Sequence, residues 1–205
     1  MRNVTPLRPI DGAEPKGLHD RALEDLSFIR ATMERATAFT LVPGLGGVGM
    51  GVTALLAAWL ASRQVTEAAW LAVWLRAAAV ALAIGVAGLV WKARRSGVAI
   101  PLRPARRFAL GFVPPLLVGA LLTAALVRAG PVELLPGVWL LTYGMAVVAG
   151  GAFSVRVVPL MGAGLLACGA LALFTPPAWG DAWMAGGFGV MQILFGSMIA
   201  QRYGG

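Results

Sequence analysis

The stretch AAWLAVWLRAAAVALAIGVAGLVW, residues 68–91, decides the fold class. It is long enough to cross the hydrocarbon core of a bilayer as a helix, which takes about 20 predominantly apolar residues. Arg76 is its only charged side chain. The sequence therefore predicts an all-α, polytopic membrane helix bundle with six transmembrane helices in three hairpins. The predicted spans cover residues 40–61, 68–91, 108–127, 134–152, 157–174 and 182–200.

The composition of the whole chain agrees with this class. Of its 205 residues, 59% are hydrophobic and 13% are charged, whereas an ordinary soluble domain is about 25% charged. Of the 17 basic and 9 acidic side chains, 18 fall within residues 1–39 and 92–107, which leaves eight for the other 150 residues. So few charges cannot solvate a globular surface, and this excludes soluble enzymes, disordered tails and disulfide scaffolds. The net charge of +8 comes from cations at the ends of apolar segments, so no nucleic-acid partner is expected.

The distribution of Lys and Arg predicts the orientation. Fourteen cations fall on the side that holds both termini and the 92–107 loop, and two, Arg63 and Arg128, fall on the opposite side. The positive-inside rule then places both termini in the cytoplasm. Most tryptophans map to the outer half, where an aromatic belt lies at the lipid headgroups. These are Trp59, Trp70, Trp74, Trp139, Trp179 and Trp183.

The segment before the first span has two predicted parts. Residues 1–17 are rich in proline and glycine and are expected to form a flexible cytoplasmic arm. Residues 18–39 show the period of an amphipathic helix, and Leu26, Ile29 and Met33 lie on its apolar stripe. This helix either lies in the membrane interface or docks onto a partner chain or a second copy. Residues 201–205 are expected to form a cytoplasmic tail.

The 92–107 loop carries six cations and no acid. Near an anionic leaflet each such cation contributes about 1 kcal/mol of attraction. We therefore expect anionic lipid headgroups to contact Lys92, Arg94, Arg95, Arg103, Arg106 and Arg107.

A polar layer is predicted near the middle of the three returning helices. Its members, Arg76, Tyr143 and Gln192, lie 9, 10 and 11 residues after the acid that precedes each helix. At about 1.5 Å per residue, this places them some 13–17 Å below the outer surface. Either Arg76 turns into the bundle, as part of a polar or anion-accepting site or an interhelical lock, or it extends outward toward an acid. The three acids are interpreted as helix caps: Glu67, Glu133 and Asp181.

No catalytic, metal or cofactor site is predicted. The single histidine, His19, precedes the first span, and the spans contain no Asp or Glu at mid-depth. A histidine-ligated metal or a carboxylate relay within the membrane is therefore not expected. Glycines at four-residue spacing, such as Gly47 and Gly51, are typical of close helix packing rather than of phosphate binding.

The segment FIRATMERATAFTLVPGLGGVGMG, residues 28–51, resembles the N-terminal part of small uncharacterised bacterial six-span membrane proteins. The resemblance implies no activity, and it implies a bacterial inner membrane. We expect a non-enzymatic membrane component: a subunit, scaffold or regulatory protein. It would bind a second copy or another membrane protein through its N-terminal helix and its glycine-rich helix faces. The alternative is a transporter or channel for a small polar or anionic solute.

Overall fold

A computed structural model describes residues 44–95, 102–152 and 154–203, together with the single positions Leu23 and Leu26. All regular elements in these ranges are helical. The helices are α1 (Gly44–Ala61), α2 (Glu67–Arg95), α3 (Leu102–Ala129), α4 (Leu135–Gly151), α5 (Val157–Phe174), α6 (Gly180–Met184) and α7 (Gln192–Tyr203). A π-helical segment, Ala185–Met191, joins α6 to α7, and short 3₁₀ turns, Val132–Leu134 and Pro177–Trp179, precede α4 and α6.

Six helical segments in the described ranges are long and apolar enough to cross a membrane, which confirms the prediction at this level. Each coincides with one predicted stretch. The main difference lies beside the cationic loop, where α2 continues to Arg95 and α3 begins at Leu102. The basic last turn of α2 favours this extension, because cations stabilise the negative end of a helix dipole. The six segments are Gly44–Ala61, Glu67–Arg95, Ala105–Ala129, Val132–Gly151, Val157–Phe174 and Pro177–Arg202.

The inner part of the fold is built from α1, α4, α5 and the last span. Helix α4 packs most extensively against α5, and α1 packs against α2, the π-helical segment and α7. The α4–α5 contact crosses the boundary between two predicted hairpins, and the arrangement in three hairpins stays a prediction. The largest fully buried side chains are leucines from α4 and α5 and a methionine from α6: Leu135, Leu140, Leu165 and Met184.

Glycines allow these backbones to approach closely. A Cβ atom on Gly144 of α4 would lie 3.0 Å from the carbonyl oxygen of Gly162 on α5. A Cβ atom on Gly47 of α1 would lie 3.2 Å from the Cα atom of Gly196 on α7. The glycine-rich faces that we expected to bind other chains are therefore occupied by helices of the same chain.

Helices α2 and α3 lie at the periphery of the described fold. Trp74 and Ala93 are the buried residues of α2, and Gly119 is the buried one among the α3 positions whose burial is described. Helix α2 packs mainly against α1, and α3 mainly against α4. A large part of the surface of each helix is therefore not covered by the rest of the described fold.

Candidate functional site

A cavity of about 820 Å³ lies in the described fold, and most of its lining residues belong to α2 and α3. It extends along α2 from Trp74 to Leu89 and along α3 from Ala105 to Thr123, and every span contributes to its walls. Apart from the tryptophans, its lining includes few polar side chains: Thr123, Thr142, Tyr143 and Gln192. Both threonine hydroxyls donate to a carbonyl oxygen of their own helix. The cavity is therefore an apolar space.

Two of the three predicted mid-depth residues meet on the cavity wall. The Gln192 Nε2 atom donates a hydrogen bond of 2.7 Å to the Tyr143 hydroxyl. Gln192 is only 4% exposed, and the Tyr143 ring makes edge contacts with Phe112 and Phe188 at 5.9 and 5.2 Å between centroids. Because a hydroxyl can also donate and an amide oxygen accepts, this pair has further hydrogen-bonding capacity.

The π-helical segment Ala185–Met191 comes directly before Gln192. A π-helix takes more residues per turn than an α-helix, so it changes the direction in which the following side chains point. Its glycines, Gly186, Gly187 and Gly189, are poor helix formers. Sequence reasoning missed this segment, and the glycine cluster is the signal that could have indicated it.

The third predicted residue, Arg76, does not join this pair. Its neighbours Leu75 and Ala77 line the cavity, whereas Arg76 is exposed on another face of α2. No hydrogen bond or ion pair joins it to another described residue. Of the two interpretations of Arg76, the structure does not show the one in which it turns into the bundle, because α2 packs on α1 through a different face that includes Ile84, opposite Gly49.

The other interpretation of Arg76, an approach to Asp181, is not observed either. Asp181 Oδ1 accepts hydrogen bonds from the indole nitrogens of Trp70 and Trp74, at 2.8 and 3.1 Å. Trp70 also stacks on Trp139, with 5.7 Å between ring centroids. These tryptophans, predicted only as interfacial anchors, tie α2 to the last span. The spacing of Trp70 and Trp74, one helical turn apart, was the available signal.

The three predicted caps line one pocket of about 250 Å³. Asp181 lies in the first turn of α6 and makes no capping hydrogen bond, Glu67 is the first residue of α2, and Glu133 lies in the turn before α4. We call this end of the fold, which also holds Trp70 and Trp139, the tryptophan end. No group of three or more potential metal ligands occurs among the residues that the structure describes.

The opposite end of the fold, where α2 ends and α3 begins, is called the cationic end. Ala93 is buried there against Leu89, Ala105 and Phe108, and the preceding residue, Lys92, is half-buried. The guanidinium of Arg95 lies 5.2 Å from the centre of the Trp91 ring. The exposed cations at the end of α2 and the start of α3 are Arg94, Arg95, Arg106 and Arg107.

The structure does not describe the side chains of some residues that were predicted to contact lipid or a partner chain. Arg103 lies in the first turn of α3, but its side chain is not among those described. On the predicted partner-binding face of the N-terminal helix, Leu26 is helical and exposed, whereas Ile29 and Met33 lie outside the described residues.

Comparison with protein-family models, curated proteins and solved structures finds no match to this chain. The resemblance of residues 28–51 to small bacterial membrane proteins is therefore untested.

Proposed function

We propose that this protein is a non-enzymatic subunit or scaffold of a bacterial inner membrane that docks another membrane chain on α2. Both termini lie in the cytoplasm in this proposal, as the distribution of cations predicts. The observation that carries it is an exposed arginine, Arg76, within an apolar span.

The position of Arg76 makes its exposure costly in a bilayer. It lies nine residues after Glu67, the first residue of α2, or about 13 Å along the helix axis. That depth is close to the middle of a hydrocarbon core about 30 Å thick. An arginine at the centre of a span costs at least about 2.5 kcal/mol when it faces lipid. A partner chain that covers Arg76 and accepts its hydrogen bonds removes this cost.

The surface around Arg76 is suited to a second helix. The residues on this side of α2 recur every three or four positions, and most are alanines. Small side chains let two helices approach closely, as membrane helix interfaces require. We define the Arg76 face as Ala69, Ala72, Arg76, Val80, Ala83 and Ala87, all of them half-buried or exposed.

The charge of Arg76 indicates the chemistry of the partner. A symmetric second copy would place Arg76 against Arg76, and like charges at close range repel. The chain has no Asp or Glu at mid-depth in any span, since the acids of the described spans lie at the tryptophan end. We therefore propose a different membrane chain that presents a carboxylate, amide or carbonyl oxygen at this depth. The N-terminal helix stays a second predicted contact.

Cysteine crosslinking in native membranes tests this proposal. In a Cys168→Ser background, Ala83→Cys places a thiol on the Arg76 face, and Leu82→Cys places one on the neighbouring cavity side of the same helix. We expect a crosslink to a distinct protein from position 83 and none from position 82. Adding Arg76→Leu should lower the crosslinked fraction about tenfold, as expected for a loss of about 1.4 kcal/mol.

Either of two results would contradict docking on this face. The first is equal crosslinking from positions 82 and 83. The second is an unchanged crosslinked fraction after Arg76→Leu, which would instead indicate that Arg76 extends to the headgroups.

The alternative is a transporter or channel for a small polar or anionic solute. The hydrogen-bonded pair of Tyr143 and Gln192 on the cavity wall supports it. The apolar character of the other walls and the outward position of Arg76 favour the subunit proposal instead. Solute flux through purified protein in liposomes would overturn the subunit proposal in favour of this one.

A further inference from the structure

We infer that the cavity lined mainly by α2 and α3 binds a neutral, lipid-soluble compound whose flat ring carries a hydroxyl group, as in an isoprenoid phenol. The hydrogen-bonded pair of Tyr143 and Gln192 holds the ring hydroxyl in this inference. The inference rests on the membrane location in the proposed function. It does not depend on the partner of the Arg76 face, because Arg76 is not among the residues that line the cavity.

The pair of Tyr143 and Gln192 has hydrogen-bonding groups that no described residue uses. Within the part of the chain that the structure describes, the bond from Gln192 Nε2 to the Tyr143 hydroxyl is the one side-chain hydrogen bond of either residue. The tyrosine proton and the Gln192 Oε1 atom are left over. Every fully buried side-chain oxygen or nitrogen in the described ranges has a partner, so Oε1 is not fully buried, although Gln192 as a whole is only 4% exposed. Because Gln192 lines the cavity, this oxygen opens into it.

The two unused groups match a hydroxyl. The Tyr143 O–H can donate to the oxygen of a ligand hydroxyl, and the Gln192 Oε1 atom can accept the proton of the same hydroxyl. A ligand carbonyl offers no proton and leaves the amide oxygen without a partner. An ionised carboxylate or phosphate places a negative charge next to that oxygen. The pair therefore favours a hydroxyl over these groups.

The walls of the cavity favour a neutral and largely apolar ligand. No charged residue is among the described residues that line it, and burying a charge without a counter-charge is costly. An apolar pocket with a few placed polar groups is typical of small-molecule sites, which measure roughly 300–1,000 Å³. The volume of about 820 Å³ lies within that range. The other lining side chains with an N–H or O–H group already donate within the fold: Trp74, Thr123, Trp139 and Thr142.

The depth of the pair distinguishes this ligand from a phospholipid. Tyr143 and Gln192 lie 10 and 11 residues after the acids Glu133 and Asp181, or about 15 Å along a helix. This is close to the middle of a hydrocarbon core that is about 30 Å thick. A phospholipid keeps its polar groups at the interface and presents only hydrocarbon at this depth. A neutral ring compound can lie entirely within the core and bring its hydroxyl to the pair.

Aromatic side chains around the pair favour a flat ring. Phe112 and Phe188 lie edge-on to the Tyr143 ring, with 5.9 and 5.2 Å between ring centroids, and all three residues line the cavity. Aromatic rings form the same stacked and edge-to-face contacts with the ring of a ligand. Phe188 belongs to the π-helical segment that directly precedes Gln192, and π-helical turns occur frequently at functional sites.

The described fold leaves the cavity open on one side of α2. The lining residues Leu82 and Val86 are 65% and 52% exposed. In a bilayer, exposed apolar residues of a span meet the hydrocarbon core, so a ligand that is dissolved in the core reaches the cavity without crossing water. The tail of the ligand can extend past these residues into the lipid, and only the ring has to fit beside the pair.

Photolabelling of the purified full-length protein tests the inference. The protein is reconstituted into phosphatidylcholine vesicles that contain a phenol with a short isoprenoid tail and a photoreactive group on the ring. The matched probe has hydrogen in place of the hydroxyl and is otherwise identical. We expect adducts on residues that line the cavity near the pair, such as Ala78 and Phe188. The phenol should half-saturate the site at about one fifth of the concentration of the matched probe, the ratio expected for one hydrogen bond.

Two variants each remove one half of the hydroxyl site. Tyr143→Phe removes the donor and Gln192→Leu removes the acceptor, so each should raise the half-saturating concentration of the phenol about fivefold. The matched probe should bind both variants as it binds the natural protein, which shows that the cavity is intact. The control is Thr142→Val, because Thr142 also lines the cavity but its hydroxyl already donates to the carbonyl of Val138. This variant should leave the affinity for the phenol unchanged.

A second set of variants tests the location of the ring. Ala78 lines the cavity and lies 11 residues after Glu67, at about the depth of the pair. Ala78→Phe fills this part of the cavity and should abolish the cavity adducts of both probes. Ala83→Phe adds the same side chain on the Arg76 face of the same helix and should leave the adducts unchanged.

Equal half-saturation by the two probes would show that the cavity takes up hydrocarbon without recognising a hydroxyl, and would overturn the inference. Adducts outside the cavity, or a phenol affinity unaffected by both Tyr143→Phe and Gln192→Leu, would overturn it as well. The absence of adducts from either probe would indicate that a second copy fills the cavity. If the protein failed to float with the vesicles, the membrane location in the proposed function would also be wrong, so the two failures are distinguishable.

Discussion

Asp181 is the residue on which the tryptophan end depends. Its carboxylate accepts two indole hydrogen bonds, from Trp70 and Trp74, that join α2 to the last span. Asp181→Leu leaves the half-buried Trp70 and the buried Trp74 without their acceptor, and an unsatisfied buried group costs about 1–3 kcal/mol. We expect the free energy of unfolding in detergent to fall by at least this amount.

The matched control for Asp181→Leu is Glu133→Leu, because Glu133 lines the same pocket and is exposed. Its removal should cost less than about 1 kcal/mol, the usual contribution of an acid at a helix start. Equal losses from both variants would show that the indole hydrogen bonds contribute little.

The hydrogen bond between Gln192 and Tyr143 gives a second prediction about individual residues. Interhelical hydrogen bonds in membranes average about 0.6 kcal/mol, with a maximum of about 1.7. Gln192→Leu and Tyr143→Phe should each destabilise the protein, and the double variant should lose less than the sum of the two. Unfolding measurements on the four proteins of this cycle give the coupling, and strictly additive losses would contradict it.

At the scale of helices, glycine decides how closely α4 and α5 pack. A Cβ atom on Gly144 would lie 2.9 Å from the backbone nitrogen of Leu166. Because that neighbour is backbone, Gly144→Ala must displace one helix, and overpacking of this kind typically costs about 1–3 kcal/mol. We expect a lower unfolding temperature in detergent, with a larger loss for Gly144→Leu.

The control for this prediction is Gly186→Ala, because an added Cβ atom there has no neighbour within 4 Å. Alanine should be neutral or stabilising by up to about 1 kcal/mol, since it reduces the conformational freedom of the unfolded chain. If Gly186→Ala lost as much stability as Gly144→Ala, the backbone preference of glycine, and not helix packing, would explain both losses.

At the scale of the whole molecule, the testable property is topology. Six spans leave both termini on one side, and the excess of cations predicts that this side is the cytoplasm. A C-terminal reporter that is active only in the periplasm should give no signal, while the same reporter inserted after Arg63, in the predicted outer loop, should be active. Activity of the C-terminal fusion would contradict the proposed orientation.

The sequence by itself determined the helices. Local hydrophobicity is sufficient to define a span, because each span needs only its own run of apolar residues and the charges that end it. For this reason the six segments and the cations of the loop between α2 and α3 follow directly from the chain. The meeting of Tyr143 and Gln192 also followed in part, because similar offsets along two helices place both residues at a similar depth.

Only the tertiary structure decided which way the side chains of α2 point. Depth along a helix can be counted from sequence, but the direction of a side chain around the axis depends on which face the neighbouring helices cover. Arg76 points outward because α1 and the cavity take the other sides of α2. Trp74 meets Asp181 across 107 residues of sequence, and the contact forms because α1 packs against both α2 and the last span. No local pattern contains that packing, so the cavity and the exposed arginine appear only once the helices are assembled.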